Sequence, residues 1–252
     1  MTKKRLIARI DVKNEYAIKG IHLEGLRKVG DPNELAKKYY ENGIDEIIFM
    51  DAVAAYYDRN SLSQIIQKAT SNIFAPITVG GGIRNVKDIQ QALNSGADKV
   101  AINTKAIQFP KFLEEASRVF GSQAIVASID AKRVAPNKWI AYTDNGREPT
   151  DIDVMKWIKE VENLGAGEIM LTSIDKEGTK SGFDIKLNEE AAKIASIPLI
   201  VCGGAGSKED CNKSMLTPNV DATAIASILH YQIDSIADIK KMVFDSGIKI
   251  RL

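Results

Sequence analysis

The sequence nearly repeats itself halfway along, and that repeat limits the folds open to it. IARIDVK (7–13) returns as VASIDAK (126–132), 119 positions later. DEIIFMD (45–51) is echoed by GEIMLTS (167–173) and PITVGGG (76–82) by PLIVCGG (198–204), each at a spacing of 122. KVAINT (99–104) is echoed by ATAIAS (222–227) at 123. Four matches in one order at nearly constant spacing make chance a poor account, and a tandem duplication explains them. The fold must therefore consist of two like halves, about residues 1–120 and 121–252.

Within each half, β-branched apolar runs alternate with helix-period segments. Strands are expected at Leu6–Ile10, Glu46–Met50, Ile77–Val79, Lys99–Ile102, Ala124–Ile129, Glu168–Thr172, Leu199–Val201 and Ala222–Ala226. Helices are expected at Asn33–Asn42, Leu62–Ala69, Val86–Asn94, Lys111–Val119, Ile152–Asn163, Glu189–Ile194, Lys208–Met215 and Ile236–Phe244. Strands that alternate with helices form a parallel sheet, and nearly unbroken apolar strands are those buried on both faces. Eight such units in 252 residues make a single-domain α/β fold, the (β/α)8 or TIM barrel. A doubly wound sheet is the competing architecture, but no GxGxxG follows the first strand. Two segments depart from the rhythm. Arg133–Thr150 reads as an inserted hairpin, with a PN turn, a WIAYT run and a DNG turn; Lys13–Asp31 reads as a long loop.

Bulk properties exclude several classes. A net charge of +1 argues against a nucleic-acid binder, and no apolar run approaches the roughly 18 residues of a membrane span. The N-terminus lacks the apolar core of a secretion signal, and the two cysteines, Cys202 and Cys211, fall in no disulfide or metal spacing. A cytoplasmic protein is expected, with no membrane contact.

Sites on such barrels lie where the strands end. Here the ends carry Asp11, Asp51, Gly80–Gly82, Asn103, Thr104, Asp130, Thr172, Ser173, Gly203, Gly204, Ala226 and Ser227. The GGGIRN and GGAGSK turns each lead into a helix beside a small polar strand end. Glycine lets backbone N–H groups approach an anion, and a helix N-terminus behind them adds positive potential. Two cradles related by the repeat point to an elongated, bisphosphorylated ligand. Asp11 and Asp130 lie between them, on opposite walls, as a carboxylate pair for proton transfer. Singly, either aspartate has a plain structural reading: capping a turn or pairing with Lys13 or Lys132. No histidine or third acid is spaced to complete a metal site, so neither metal nor cofactor is expected. Lys19, in the long loop, could swing onto a phosphate or sit exposed at the surface. His22 and His230 have no evident partner and read as structural.

Several motifs together are specific. DVK with Lys19-Gly20, LRKVGDP (26–32), TVGGGIR (78–84), GADKVAINT (96–104), FGSQAIVASIDAKR (120–133), GAGEIMLTSID (165–175), GTKSG (178–182) and GGAG (203–206) resemble the cyclase subunit of imidazole glycerol phosphate synthase over essentially the whole chain. A sister isomerase of the same pathway shares the half-barrel and both aspartates, but FGSQAIVASIDAKR favours the cyclase. The resemblance implies that ammonia attacks a bisphosphorylated ribulosyl-formimino aminoimidazole carboxamide nucleotide. The implied products are imidazole glycerol phosphate and aminoimidazole carboxamide ribonucleotide. It makes Asp11 and Asp130 the acid/base pair. One phosphate site takes Gly82, Asn103 and Thr104; the other takes Gly178, Gly204, Ala226 and Ser227, with Thr172 also on the substrate side and Lys19 on a mobile loop. It further implies a heterodimer with a glutaminase on the N-terminal face of the barrel. Ammonia would enter there through a charged gate of Arg5, Glu46, Lys99 and Glu168, with Asp98 touching the partner.

Departures from that pattern cluster at the substrate end. The family's Pro-Cys-Leu-Asp at strand 1 is Ala8-Arg9-Ile10-Asp11, its Asp-Gly is Glu177-Gly178, its Ser-Gly-Gly is Cys202-Gly203-Gly204, and its His-Gly-Gly is Asp144-Asn145-Gly146. Two residues before Asp11 on one strand, Arg9 shares its face, so it points into the barrel and needs a buried partner. These changes resemble a divergent branch of the cyclase found beside surface-polysaccharide genes, thought to pass ammonia to a sugar-modifying amidotransferase. A silent scaffold that only activates a glutaminase is the third reading.

Overall fold

The computed structural model describes residues 3–54 and 62–252. Eight strands close on one another, all in parallel: β1 (Arg5–Lys13), β4 (Glu46–Asp51), β5 (Ile77–Gly80), β6 (Lys99–Ile102), β7 (Ile125–Ala135), β10 (Glu168–Ser173), β11 (Leu199–Cys202) and β12 (Ala222–Ile225), which pairs back to β1. This is the expected (β/α)8 barrel. Helices α1 (Pro32–Glu41), α2 (Leu62–Thr70), α3 (Val86–Asn94), α5 (Lys111–Phe120), α6 (Val154–Asn163), α7 (Ile185–Ile194), α8 (Lys208–Leu216) and α10 (Ile236–Asp245) stand between the strands. Two short helices, α4 (Thr104–Gln108) and α9 (Ser227–His230), follow β6 and β12. No helix among the described residues is long and apolar enough to cross a membrane.

Alternation along β1 sorts the core into layers. Leu6, Ala8, Ile10 and Val12 pack outward against helices, while Ile7 joins Ile48, Ala101, Val126, Met170 and Ile200 inside the barrel. The outer layer forms two clusters. One joins β12, β1, β4 and β5 to their helices, and the other joins β6, β7, β10 and β11. The packing seams are thus shifted from the sequence halves by about one unit.

The duplication extends to hydrogen bonds. Asn85 caps α3 by accepting from Asp88 N, and Asp88 Oδ2 accepts from Arg84 N at 2.9 Å. At 122 residues' remove, Ser207 caps α8 by accepting from Asp210 N, and Asp210 Oδ2 accepts from Gly206 N at 3.0 Å. Asp31 and Asp153 cap α1 and α6 in the same way, each cap contributing about 1 kcal/mol.

The stretch 13–31 is not a loop. It is a hairpin of β2 (Tyr16–Ile21) and β3 (Glu24–Gly30), β2 pairing antiparallel with β1. Its twin is the expected insertion after β7, formed by β8 (Lys138–Thr143) and β9 (Glu148–Asp153). β9 takes the residues first read as the start of α6. Helix α7 begins four residues earlier than expected, because Asp184 caps it by accepting from Leu187 N.

Candidate active site

The mouth of the barrel is built from the strand ends as expected, but the two halves present different chemistry. Gly82, Asn103 and Thr104 line a cavity of about 210 Å3 with Arg84, Lys105 and Asp130. Gly81 and Gly82 have φ of 91° and 72°, which glycine adopts freely and which turns the β5 end toward the cavity. Arg84 and Lys105 were missed by sequence reasoning. Their signal was position: both lie within two residues of a cradle residue, on the helix side of the turn. Thr104 Oγ1 accepts from Asp144 N at 3.0 Å, tying the cradle to the β8–β9 turn.

Asn103 does not offer its amide to an anion. Nδ2 donates to Asp130 Oδ2 at 2.9 Å and to the Tyr142 carbonyl at 3.0 Å. Its Oδ1 is buried with no hydrogen-bond partner among the described residues. Asn103 therefore orients Asp130, and Asp130 shares the cavity with the cradle. Burial, resisted by Arg9 and the Asn103 hydrogen bond, pushes the Asp130 carboxyl up to about 6, into the range of proton exchange near neutrality.

In the second half, Gly178, Gly204, Ala226 and Ser227 come together with Gly203 around a void of only about 10 Å3. Asn103 and Ala226 share an unusual backbone, φ/ψ −117°/−86° and −134°/−73°, so the two cradles are copies in backbone form. Thr172 is not in either cradle. It is fully buried inside the barrel, where its Oγ1 accepts from Arg9 at 3.1 Å.

Between the cradles lies a buried charge cluster. Arg9 Nε donates to Asp11 Oδ1 at 2.8 Å, and the guanidinium reaches Thr172 on β10 and Cys202 Sγ, at 3.5 Å, on β11. Lys19 donates to Asp11 Oδ2 at 3.1 Å and to Glu177. Lys19 thus corrects its expected place on a mobile loop: it lies on β2, 3 % exposed. Neither Lys13 nor Lys132 pairs with the aspartates. Burial opposes ionisation of Asp11, but Arg9 and Lys19 outweigh it and hold the carboxyl well below the usual carboxylate range. Lys19 is desolvated too, yet Asp11 and Glu177 hold it firmly protonated. Burial pushes the Cys202 thiol up to about 11.

The β2–β3 hairpin is docked. His22 N donates to the Glu177 carbonyl at 2.8 Å and His22 Nδ1 meets the Ile174 carbonyl at 2.9 Å. A Cβ at Gly178 would collide with the Gly20 carbonyl oxygen. His230 also has a partner, the Tyr39 hydroxyl at 2.7 Å from Nδ1, and burial lowers its pKa to about 4.

At the opposite end, the charged residues expected at the strand starts form a closed ring. Arg5 pairs with Glu46 at 2.7 Å and with Glu168 at 2.5 Å; Lys99 pairs with the same two at 3.2 Å and 2.8 Å. Asp98 is exposed beside it, and its Oδ2 accepts from Ile77 N at 2.8 Å. Its repeat counterpart Asp221 does the same for Leu199 N at 3.0 Å, so Asp98 has a structural task of its own.

The fold and site together define a duplicated (β/α)8 barrel with an aspartate at the end of each of two opposed strands and a glycine turn beside each. Comparison with known proteins places it further. Residues 5–235 match the model of the histidine biosynthesis protein family, and the chain belongs to that family. It is 54 % identical over 212 residues to the imidazole glycerol phosphate synthase subunit HisF of Legionella pneumophila, covering 84 % of this chain and all of that protein. It is 44 % identical over 252 residues to the subunit of the same name from Bacillus cereus strain G9842, covering all of both chains.

Proposed function

We propose that this chain is the cyclase subunit of an imidazole glycerol phosphate synthase, acting in the cytoplasm. Relatives covered along their whole length bear that name, and the likeness to the B. cereus protein spans all of both chains. The observation that carries the reading is Asp130, a carboxyl near neutrality that shares a 210 Å3 cavity with a glycine cradle. One phosphate of an elongated nucleotide would sit at Gly82 and Thr104, with Arg84 and Lys105 supplying countercharge. The other would sit at Gly178, Gly204, Ala226 and Ser227. The reacting centre then falls between Asp11 and Asp130.

Ammonia is the nitrogen source, delivered by a glutaminase docked on the N-terminal face, with Asp98 at the contact and the Arg5–Glu46–Lys99–Glu168 ring as the entrance. Purified chain with ammonium salt should convert the bisphosphorylated ribulosyl-formimino nucleotide to imidazole glycerol phosphate, and should rescue a cyclase-deficient histidine auxotroph. No turnover at high ammonia, together with failed rescue, would remove the reading.

Arg9 favours a second reading. A guanidinium inside the barrel, beside Asp11 and joined to Thr172 and Cys202, is what a barrel retuned for another acceptor would carry. In that reading the chain passes ammonia to a sugar amidotransferase of surface-polysaccharide synthesis. Glutaminase activation without nucleotide turnover would support it.

A further inference from the structure

The two strand-end carboxylates are related by the repeat, yet one side chain makes them unlike. Position 9 is Arg in the first copy, and its counterpart in the second is Ser128. Asp11 has both oxygens taken by buried cations, by Arg9 at 2.8 Å because of that difference and by Lys19 of β2 at 3.1 Å besides. It lines a void of about 10 Å3. Asp130 meets a neutral donor, Asn103, and opens onto the 210 Å3 cavity.

Several elements bring titratable groups around Asp11, and Asp51 ends the neighbouring strand β4 one place beyond the residue paired with it. The other groups are Arg9 on β1, Lys19 on β2, Glu177 after β10, Cys202 on β11, Asp130 across the mouth on β7, and His230 after β12, itself held by Tyr39. Arg9 and Lys19 balance Asp11 and Glu177, two charges against two, so these four side chains are neutral together with Asp11 ionised. Protonating Asp11 would leave a buried cation short of its counter-ion, which is costly in a dry interior.

We propose, resting on the cyclase reading, that Arg9 is a positioning residue that fixes Asp11 as a permanent carboxylate. Asp130 alone then exchanges a proton with the nucleotide. The cycle balances as nucleotide plus ammonia giving imidazole glycerol phosphate, carboxamide ribonucleotide and water: Asp130 takes a proton from the ammonia nitrogen as it bonds to the ribulosyl carbonyl carbon, whose oxygen leaves as water, and Asp130 returns a proton to the nitrogen of the departing carboxamide ribonucleotide. Asp11 stays ionised through the cycle, its charge answering Arg9 and Lys19, and takes up no proton. The two catalytic aspartates of the duplicated barrel are thereby divided, one as proton carrier and one as electrostatic partner, by a substitution in one half.

Carboxyl NMR on aspartate-labelled full-length chain tests this without any substrate. The resonances are assigned by their loss in Asp11→Asn and Asp130→Asn. Asp130 should titrate near pH 6 while Asp11 stays flat between about pH 4 and pH 8. In Arg9→Ser, Asp11 should move toward the titrating range; in Arg9→Lys it should return toward flat. An Asp11 resonance that titrates in the unaltered protein, or one indifferent to Arg9→Ser, overturns the proposal. For turnover, with rates referred to free ammonia, the acid limb should lie near pH 6 and move upward in Arg9→Ser, because Arg9 also holds Asp130 down. An unmoved limb counts against the proposal. Absence of all turnover sinks the cyclase reading instead, while the NMR titration still decides the division between the aspartates.

Discussion

Asp130 and Asp11 show how far burial alone decides a carboxylate's chemistry. Both are more than nine-tenths buried. Their surroundings push them in opposite directions, because Asp11 has two cations within hydrogen-bond distance and Asp130 has an amide. Asp130 makes a stability prediction with a definite sign. Its carboxyl is raised from 3.8 in the unfolded chain to about 6, so between those values the native state holds a proton that the unfolded chain has released. Its contribution is therefore present below about pH 4 and is lost as pH rises through 6. At roughly 1.4 kcal/mol per pH unit, the loss is on the order of 3 kcal/mol. Urea denaturation across that range should show Asp130→Asn gaining on the unaltered protein by that amount as pH rises; parallel curves would contradict the assignment. Arg9 illustrates what a sequence can and cannot reveal. Its period-two relation to Asp11 announced that it points inward. Its partners Thr172 and Cys202, 163 and 193 residues away, are set by barrel closure and are written in no local pattern.

At the scale of elements, the barrel strands were legible because both their faces are buried, which leaves an unbroken apolar run. The β2–β3 hairpin was not, since β3 reads EGLRKVG and is largely exposed, without an apolar face to announce it. The better signal was the repeat itself. An insertion after the fifth strand implied a twin after the first. Lys19 was hidden for the same reason, its burial depending on a strand not anticipated. Arg84 and Lys105 were overlooked because charged residues in a helix's first turns usually read as solvated surface. The hairpin's docking gives the second prediction. Gly178 has φ of +74° and touches the Gly20 carbonyl, so Gly178→Ala adds both a left-handed strain of about 1–2 kcal/mol and a collision. Amide exchange in residues 16–30 should quicken about tenfold or more, while exchange in the barrel strands stays as before. Uniform quickening across the chain would mean that the hairpin is no separate unit.

For the molecule as a whole, the charged ring joins four strands from both halves. Each member touches two of opposite sign, so removing one leaves two partly buried like charges to share a single partner. Glu168→Gln should destabilise by about 1–3 kcal/mol, because Arg5 and Lys99 would then share Glu46 alone. Glu168→Leu with Lys99→Met should cost less than the sum of its single changes, by about 1 kcal/mol or more in a double-mutant cycle. Strict additivity would show that the two do not act as a unit.

The shifted packing seams bear on how such a molecule is put together. The repeat boundary near residue 120 passes through the middle of one outer core cluster, parting β6 from β7. At the other junction β12 closes on β1, and the two ends of the chain meet where Lys4 N donates to the Lys249 carbonyl at 2.8 Å. Ancestry and assembly therefore divide this barrel along different lines. Each half, severed at its evolutionary join, would carry a torn apolar edge that only the other can cover, whereas the barrel as a bracelet has its natural clasp where Lys4 and Lys249 already touch.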